Sequence, residues 1–225
     1  MSVGVSFVIP VLNEEGAVAD LLRDLRQRYP HSQLIVVDGG SRDRTVALAL
    51  PLCDQLLLMA SGRARQMNLG GQVACMPYVC FLHADSRPGV SASALDDYFS
   101  ERPTWGFCRV RLSGDGLSFR IIEWFMNQRS RVTAVATGDQ MMFVQKTVFD
   151  ESGGFDNIPL MEDVAYCKRL RRLQAPLIIE APVLTSSRRW EEGGVVPTVL
   201  RMWLLRLAYF LGVAPATLWR YYYGR

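Results

Sequence analysis

Several large classes of protein are excluded by what this chain lacks. It has five cysteines, Cys53, Cys75, Cys80, Cys108 and Cys167, an odd number with no CxxC pair. That rules out a disulfide framework or a zinc knuckle and suits reduced, buried thiols in an intracellular protein. No run of 18 apolar residues occurs, so no spanning helix is expected. The nearest approach, VVPTVLRMWLLRLAYFLGV (195–213), is interrupted by Arg201 and Arg206. The opening MSVGVSFVIP has no basic start and no cleavage site, and is expected to be a first strand rather than a signal peptide. There is no internal repeat and no low-complexity linker, and a net charge of +3 is too small to argue for nucleic acid. What remains is 225 residues, 49% hydrophobic and 21% charged, enough for one large domain (1–225) with a substantial core.

The first half alternates. VSFVIPV (5–11) is the continuous β-branched run of a strand buried on both faces. Residues 14–28 place Val18, Leu21, Leu22 and Leu25 at helical spacing. Strands are predicted at 33–38, 55–59 and 78–83, with helices at 42–50, 63–76 and near 91–101. Such alternation implies right-handed βαβ units, a mostly parallel sheet and a Rossmann-like α/β domain. Later strands are predicted at 106–112 and 141–146, and helices at 119–131 and 161–173. The last thirty residues read as an apolar, basic helical appendage.

Ligands of open α/β sheets bind beyond the carboxyl ends of the strands. Here those ends are polar: Asn13–Glu14, Asp38, Ser61–Gly62 and His83–Asp85. Asp38, in VVDGGSRDRT, precedes its glycines and fits a simple helix cap poorly, whereas Asp43 fits one well. SGRARQMNLG opens a helix with Gly62, Arg63 and Arg65, then Asn68; arginines at a helix start make sense beside an anion. Asp85 of FLHADSRP suits a hard cation such as Mg²⁺ or Mn²⁺ whose remaining ligands come from a substrate diphosphate, with His83 on the same strand face. Glu162 and Asp163 open the helix of MEDVAYCKRL, and one of them can serve as a general base. SSRRWEEGG offers Arg189 to phosphate oxygens and Trp190 to a sugar face.

These segments resemble the family 2 glycosyltransferases, which have the GT-A fold. VIPVLNE is similar to the family's P-x-x-N-E, VVDGGSRDRT to V-D-x-G-S-x-D-x-T, and GRARQMNLG to G-x-A-x-A-x-N-x-G. HAD stands for the D-x-D motif, MED for E-D and SSRRW for Q-x-x-R-W, in order over nearly the whole chain. More narrowly, FLHADSRP, GDQMMF and GGFDNIPLMED resemble the bacterial subgroup called selenodomain-associated transferase 2. The resemblance implies that Pro10, Glu14 and Asp38 hold the nucleotide, with Gly62, Arg63, Arg65, Asn68 and His83 nearby. It implies that Asp85 binds Mn²⁺ or Mg²⁺ and that Asp163 deprotonates the acceptor. Arg189, Trp190, Asp139 and Glu162 would then face the diphosphate and acceptor. His83 departs from the first Asp of D-x-D, and Ser186 from the Gln of processive enzymes, so repeated addition along a polymer is not expected.

The implied reaction is one in-line displacement that moves a sugar, with inversion, from a nucleotide-diphosphate donor, taken as a UDP-sugar, to an acceptor hydroxyl. Two other readings stay open: a sugar-phosphate nucleotidyltransferase, against which the first loop VLNEEGAV argues, and a non-catalytic nucleotide-sugar-binding protein. In 195–213, Trp203, Leu204, Leu207 and Phe210 fall near helical spacing. That helix can lie in a membrane interface, pack on the domain or make a homodimer contact. An interfacial helix would place a cytoplasmic enzyme at the inner face of the membrane, with a lipid-linked acceptor.

Overall fold

The computed structural model describes residues 4–224, apart from the side chains of residues 189, 192, 195 and 196. Eight strands form one sheet: β1 (Val5–Val11), β2 (Gln33–Asp38), β3 (Gln55–Leu58), β4 (Tyr78–Phe81), β5 (Ser86–Pro88), β6 (Trp105–Leu112), β7 (Met142–Gln145) and β8 (Leu177–Thr185). Their order is β3-β2-β1-β4-β7-β6-β8-β5. The helices are α1 (Val18–Arg28), α2 (Thr45–Ala49), α3 (Arg63–Val73), α4 (Ala92–Ser100), α5 (Leu117–Thr133), α6 (Lys146–Ser152), α7 (Glu162–Leu173), α8 (Arg188–Gly193), α9 (Val195–Phe210) and α10 (Pro215–Tyr223), with a 3-10 turn at Gly138–Gln140.

Strands β1 to β4 pair in parallel, as the alternation predicts. Beyond β4 the directions mix: β7 is antiparallel to both β4 and β6, β6 is parallel to β8, and β5 is antiparallel to β8. The consequence is one shared edge. β7 begins where β4 ends, with Met142 opposite Phe81. Leu112 at the end of β6 lies opposite Thr185 at the end of β8, and Thr185 lies opposite Ser86 at the start of β5. The segments after β1, β2, β4, β6 and β8, and the turn before β7, therefore emerge on the same side.

The sheet is covered on both faces. Phe7, Ile9, Leu34 and Val36 point to one core with Leu21, Leu22 and Leu25 of α1 and Leu95 and Phe99 of α4. Val8, Ile35 and Val37 point to the other, with Ala64 and Met67 of α3, Tyr166 and Leu170 of α7, and Leu205 and Leu218 of α9 and α10. This alternation is the period of two that a doubly covered strand must show. A Cβ at Gly70 would lie 2.3 Å from Val8 Cγ1, so only glycine lets α3 approach β1 this closely. In the second half α5 is sutured to the irregular middle of β6. Asn127 accepts from the Val110 backbone N–H at 2.9 Å and donates to the Val110 carbonyl at 3.0 Å, pairing groups left open where the ladder shifts register.

Among the boundaries that differ from the periodicity reading, three have a local cause. The helix expected from residue 14 starts at Val18, because residues 13–15 are held in a loop by residues 41–45. The strand expected over 78–83 leaves the sheet after Phe81, which frees His83 from the ladder. The apolar stretch 195–213 is one helix to Phe210, followed by a second, α10, that folds back on it through Arg201, which donates to the Tyr221 carbonyl at 3.2 Å.

Candidate active site at the shared sheet edge

The first two strand ends are locked to each other. Asn13 sits at a left-handed φ of 55°, and its backbone N–H donates to Ser41 Oγ at 2.8 Å. The Arg42 N–H donates back to Asn13 Oδ1 at 2.8 Å, and the Glu14 N–H donates to Thr45 Oγ1 at 2.7 Å. Asp43 Oδ1 accepts from the Thr45 N–H at 3.0 Å, at the start of α2 although the N-cap position itself is Arg44. Buried Gln66 of α3 donates to the carbonyls of Val11 at 3.0 Å and Val37 at 2.8 Å, holding both strand ends apart at a fixed distance.

Asp38 lies in this brace and is 2% exposed. Its Oδ2 accepts from the backbone N–H groups of Gly40 at 2.8 Å and Ser41 at 2.9 Å. Its Oδ1 is buried with no partner. An unpaired buried carboxylate oxygen is costly, and a ligand donor at this edge would satisfy it. Glu14, next along the edge, has its carboxyl pushed up, first by burial and then by the negative charge of Asp85, against the opposing pull of Arg188 and Arg63. That mutual influence places Glu14, Asp85, Arg63 and Arg188 in one electrostatic neighbourhood. It also draws in Arg188, which the sequence reading passed over in favour of Arg189. The side chain of Arg189 lies outside the described residues, and Trp190 is partly buried in α8. That helix is tied to the end of β6 through the Ser113–Ser187 hydroxyl pair at 2.9 Å.

Arg63, at the start of α3, lies 2.9 Å from His83 Nδ1 and also against Nε2. Its Nε is 4.0 Å from Glu162 Oε1. His83 Nδ1 is 3.6 Å from Asp139 Oδ1. A Cβ on Gly138 would fall 2.1 Å from His83 Nε2, so any larger residue there would push the imidazole from its present position. Pro10, Arg63, His83, Gly138, Glu162 and Asp163 line a common pocket. Met161 supplies the bend that brings the acidic pair in: its φ is 68°, a left-handed conformation rare for methionine and found where a fold imposes geometry on a site. Glu162 is nearly buried, and burial followed by the charge of Asp163 pushes its carboxyl up to about 7, with Arg63 opposing.

Two predicted nucleotide-side residues hold local structure. Asn68 donates to the Phe155 carbonyl at 2.8 Å and accepts from its N–H at 2.7 Å, pinning the 153–155 turn to α3. Arg65 donates to the Ser61 carbonyl beside Gly62. Two arginines carry no site role in the sequence reading. Arg129 of α5 and Arg206 of α9 are both held down by burial, with the negative charges of Asp163 and Asp139 opposing. Arg206 was read as interrupting an apolar run, whereas it turns inward.

Among the described residues no three His, Cys, Asp or Glu side chains gather as a metal-binding group. The oxygens available, Asp85 with Glu14 close by, suit a hard cation that takes most of its ligands from a substrate diphosphate.

Comparison with known proteins defines the class of fold. Residues 6–91 match the family model described as Glycosyl transferase family 2, a segment covering β1 to β5. No match was found among curated proteins. Among solved structures, S. aureus TarS 1-349 in complex with UDP superposes with a TM-score of 0.67 at 14% identity, over 81% of this chain and 60% of that one. TarS 1-349 in complex with UDP-GlcNAc gives 0.63 at 15%, over 81% of this chain and 58% of that one. The mannosyltransferase PcManGT from Pyrobaculum calidifontis, in complex with GDP-Man and Mn²⁺, gives 0.63 at 17%, over 91% and 60%. The chain thus spans about 60% of the length of the TarS 1-349 and PcManGT structures. It has the GT-A glycosyltransferase fold, a mixed sheet flanked by helices.

Proposed function

We propose that this chain is an inverting family 2 glycosyltransferase that moves a sugar from a nucleotide-diphosphate donor, a UDP-sugar, to an acceptor hydroxyl. What supports the reading is an unpartnered buried oxygen on Asp38 and the Asp85 carboxylate, both just past strand ends that emerge on one side, together with the Glu162–Asp163 pair in the pocket lined by Arg63 and His83. The matched segment 6–91 and the nucleotide-bound neighbours support it.

In this reading Asp38 Oδ1 accepts from the nucleotide base, and Pro10 and Glu14 border the same subsite. Arg63 and His83 stand at the diphosphate, and Arg65 and Asn68 act through the loops they brace. Asp85 would hold Mn²⁺ or Mg²⁺, which supplies positive charge to the leaving diphosphate when bound. Asp163 takes the proton from the acceptor hydroxyl. The acceptor oxygen then bonds to the anomeric carbon as the bond to the diphosphate breaks, and one displacement inverts that carbon. Glu162, held protonated to near neutrality, limits the repulsion beside Asp163. Arg188, Arg189, Trp190 and Asp139 border the diphosphate and acceptor.

The outward side of α9 exposes Trp203, Leu207 and Phe210, while no described helix is long and apolar enough to cross a membrane. We assign that side to the inner membrane face of a cytoplasmic enzyme; flotation with vesicles checks it, and a dimer that does not float contradicts it. The transferase reading is tested by a thermal-shift panel of UDP-, GDP- and dTDP-sugars with and without Mn²⁺, followed by a product assay on the best donor. Stabilisation by a UDP-sugar and an inverted product are expected. No shift with any donor would overturn it.

A further inference from the structure

Asp38 is held in place by the residues around it, and one side chain from another element braces them. Gln66, near the start of α3, is 4% exposed and reaches across to the tips of β1 and β2. Its amide nitrogen donates to the Val37 carbonyl at 2.8 Å and to the Val11 carbonyl at 3.0 Å. Val37 immediately precedes Asp38. Val11 lies opposite Asp38 in the ladder, and its carbonyl also accepts from the Gly39 N–H at 2.9 Å. The same amide lies against Gly39, where a Cβ would be 3.0 Å from Gln66 Nε2 and 3.1 Å from Oε1. One amide thus meets the chain before, opposite and after the aspartate. The backbone of Gln66 adds a further tie: its N–H donates to the Gly62 carbonyl at 2.9 Å and closes the turn that carries Arg63.

These contacts converge on a carboxylate that is half satisfied. Oδ2 is fixed by the Gly40 and Ser41 amides, while Oδ1 is buried without a partner. An open acceptor contributes most to binding when its direction is set before the ligand arrives, because no ordering cost is then paid on association. The Val11 carbonyl already has the Gly39 N–H, so the glutamine is not required merely to satisfy it. A buried polar side chain whose donors bridge two strand tips fixes their relative position instead. We propose that Gln66 is a positioning residue for nucleotide recognition: it holds the backbone on both sides of Asp38, aims the open Oδ1 at the ligand, and ties that subsite to the turn of α3 bearing Arg63. The nucleotide role rests on the transferase reading; the brace on Asp38 does not.

The test measures UDP affinity by calorimetry in the presence of Mn²⁺. Gln66→Met, close in size but without donors, should lower it about tenfold, and Gln66→Asn, which keeps an amide on a shorter arm, should do much the same. Placed in an Asp38→Asn background, Gln66→Met should change the affinity by less than about twofold, because a residue that acts through Asp38 then has nothing left to position. An equal loss of about tenfold in both backgrounds overturns the proposal, as does unchanged affinity in a folded Gln66 variant. A second arm needs no nucleotide. In the free protein, exchange of the Gly40 and Ser41 amide protons, followed by NMR, should quicken about tenfold in Gln66→Asn while the amides of β4 keep their rates. Equal acceleration throughout the chain assigns Gln66 to general stability and overturns its positioning role, and so does failure of both variants to fold. If UDP does not bind the unaltered protein, the transferase reading fails, while the exchange rates still decide whether Gln66 positions Asp38.

Discussion

The two halves of the site are built differently. On the β1–β2 side, functional atoms are fixed by hydrogen bonds: Asn13 with Ser41 and Arg42, Gln66 with two strand-end carbonyls, Asp38 with two backbone amides. On the α5–α7–α9 side, charged groups influence one another with few direct contacts: Arg129 and Arg206 with Asp163 and Asp139, Arg63 4.0 Å from Glu162. Backbone-anchored geometry is preformed. A cluster of half-buried charges is left poised, and its energy depends on protonation and on what binds. In the proposed transferase the first half would serve the part that every donor shares, and the second the acceptor step.

Four substitutions sharpen this contrast. Asp163→Asn should lower transfer by about 10²–10⁴-fold while the UDP thermal shift stays as in the unaltered protein. Equal product formation would remove Asp163 as the base.

Glu162→Gln probes the charge-built side through pH. The folded carboxyl holds its proton up to about 7, against an ordinary 4.5. Between those values the folded chain binds more protons than the unfolded one, so stability falls as pH rises through that window and levels off above it. Glutamine removes the slope. The variant should be the more stable by about 3 kcal/mol at pH 8, with the difference gone well below pH 4.5. Parallel stability curves for the two proteins would show that Glu162 is not raised.

Gly138→Ala forces His83 away from the turn before β7 and should cost about 1–3 kcal/mol in chemical denaturation, together with much of the activity. An unaltered midpoint would show that the turn yields. Asp38→Asn keeps an acceptor for Gly40 and Ser41 but puts an amide where Oδ1 faces the ligand. UDP affinity by calorimetry should fall about tenfold, and an unchanged affinity would free Asp38 from the nucleotide subsite.

How much of this was legible in the sequence follows the same division. The runs at 5–11, 33–38 and 78–81 are buried on both faces and carry strand residues without ambiguity. Their polar ends could be read directly, because position after a parallel strand dictates the edge. β8, LIIEAPVLT, was not legible: Glu180 and Pro182 break its pattern, and its buried, half-buried and exposed positions follow no period of two. β5 has three residues and no pattern to read. The arginines were the larger omission. Residue spacing shows that α9 has an apolar side, but not which side packs inward. Leu205 is buried and Arg206 partly so, while Trp203 and Phe210 face out. Asn68 shows the same limit, since its match to a motif says nothing of the Phe155 backbone, 87 residues away, that occupies both its amide atoms.

The central claim is that separate strand tips form one nucleotide-diphosphate site. Hydrogen–deuterium exchange with and without UDP and Mn²⁺ tests it most directly. Slowed exchange should appear together in peptides covering 38–44, 61–66 and 83–86, with little change over 215–223. Protection confined to one of these segments, or found only at a distant surface, would contradict the account.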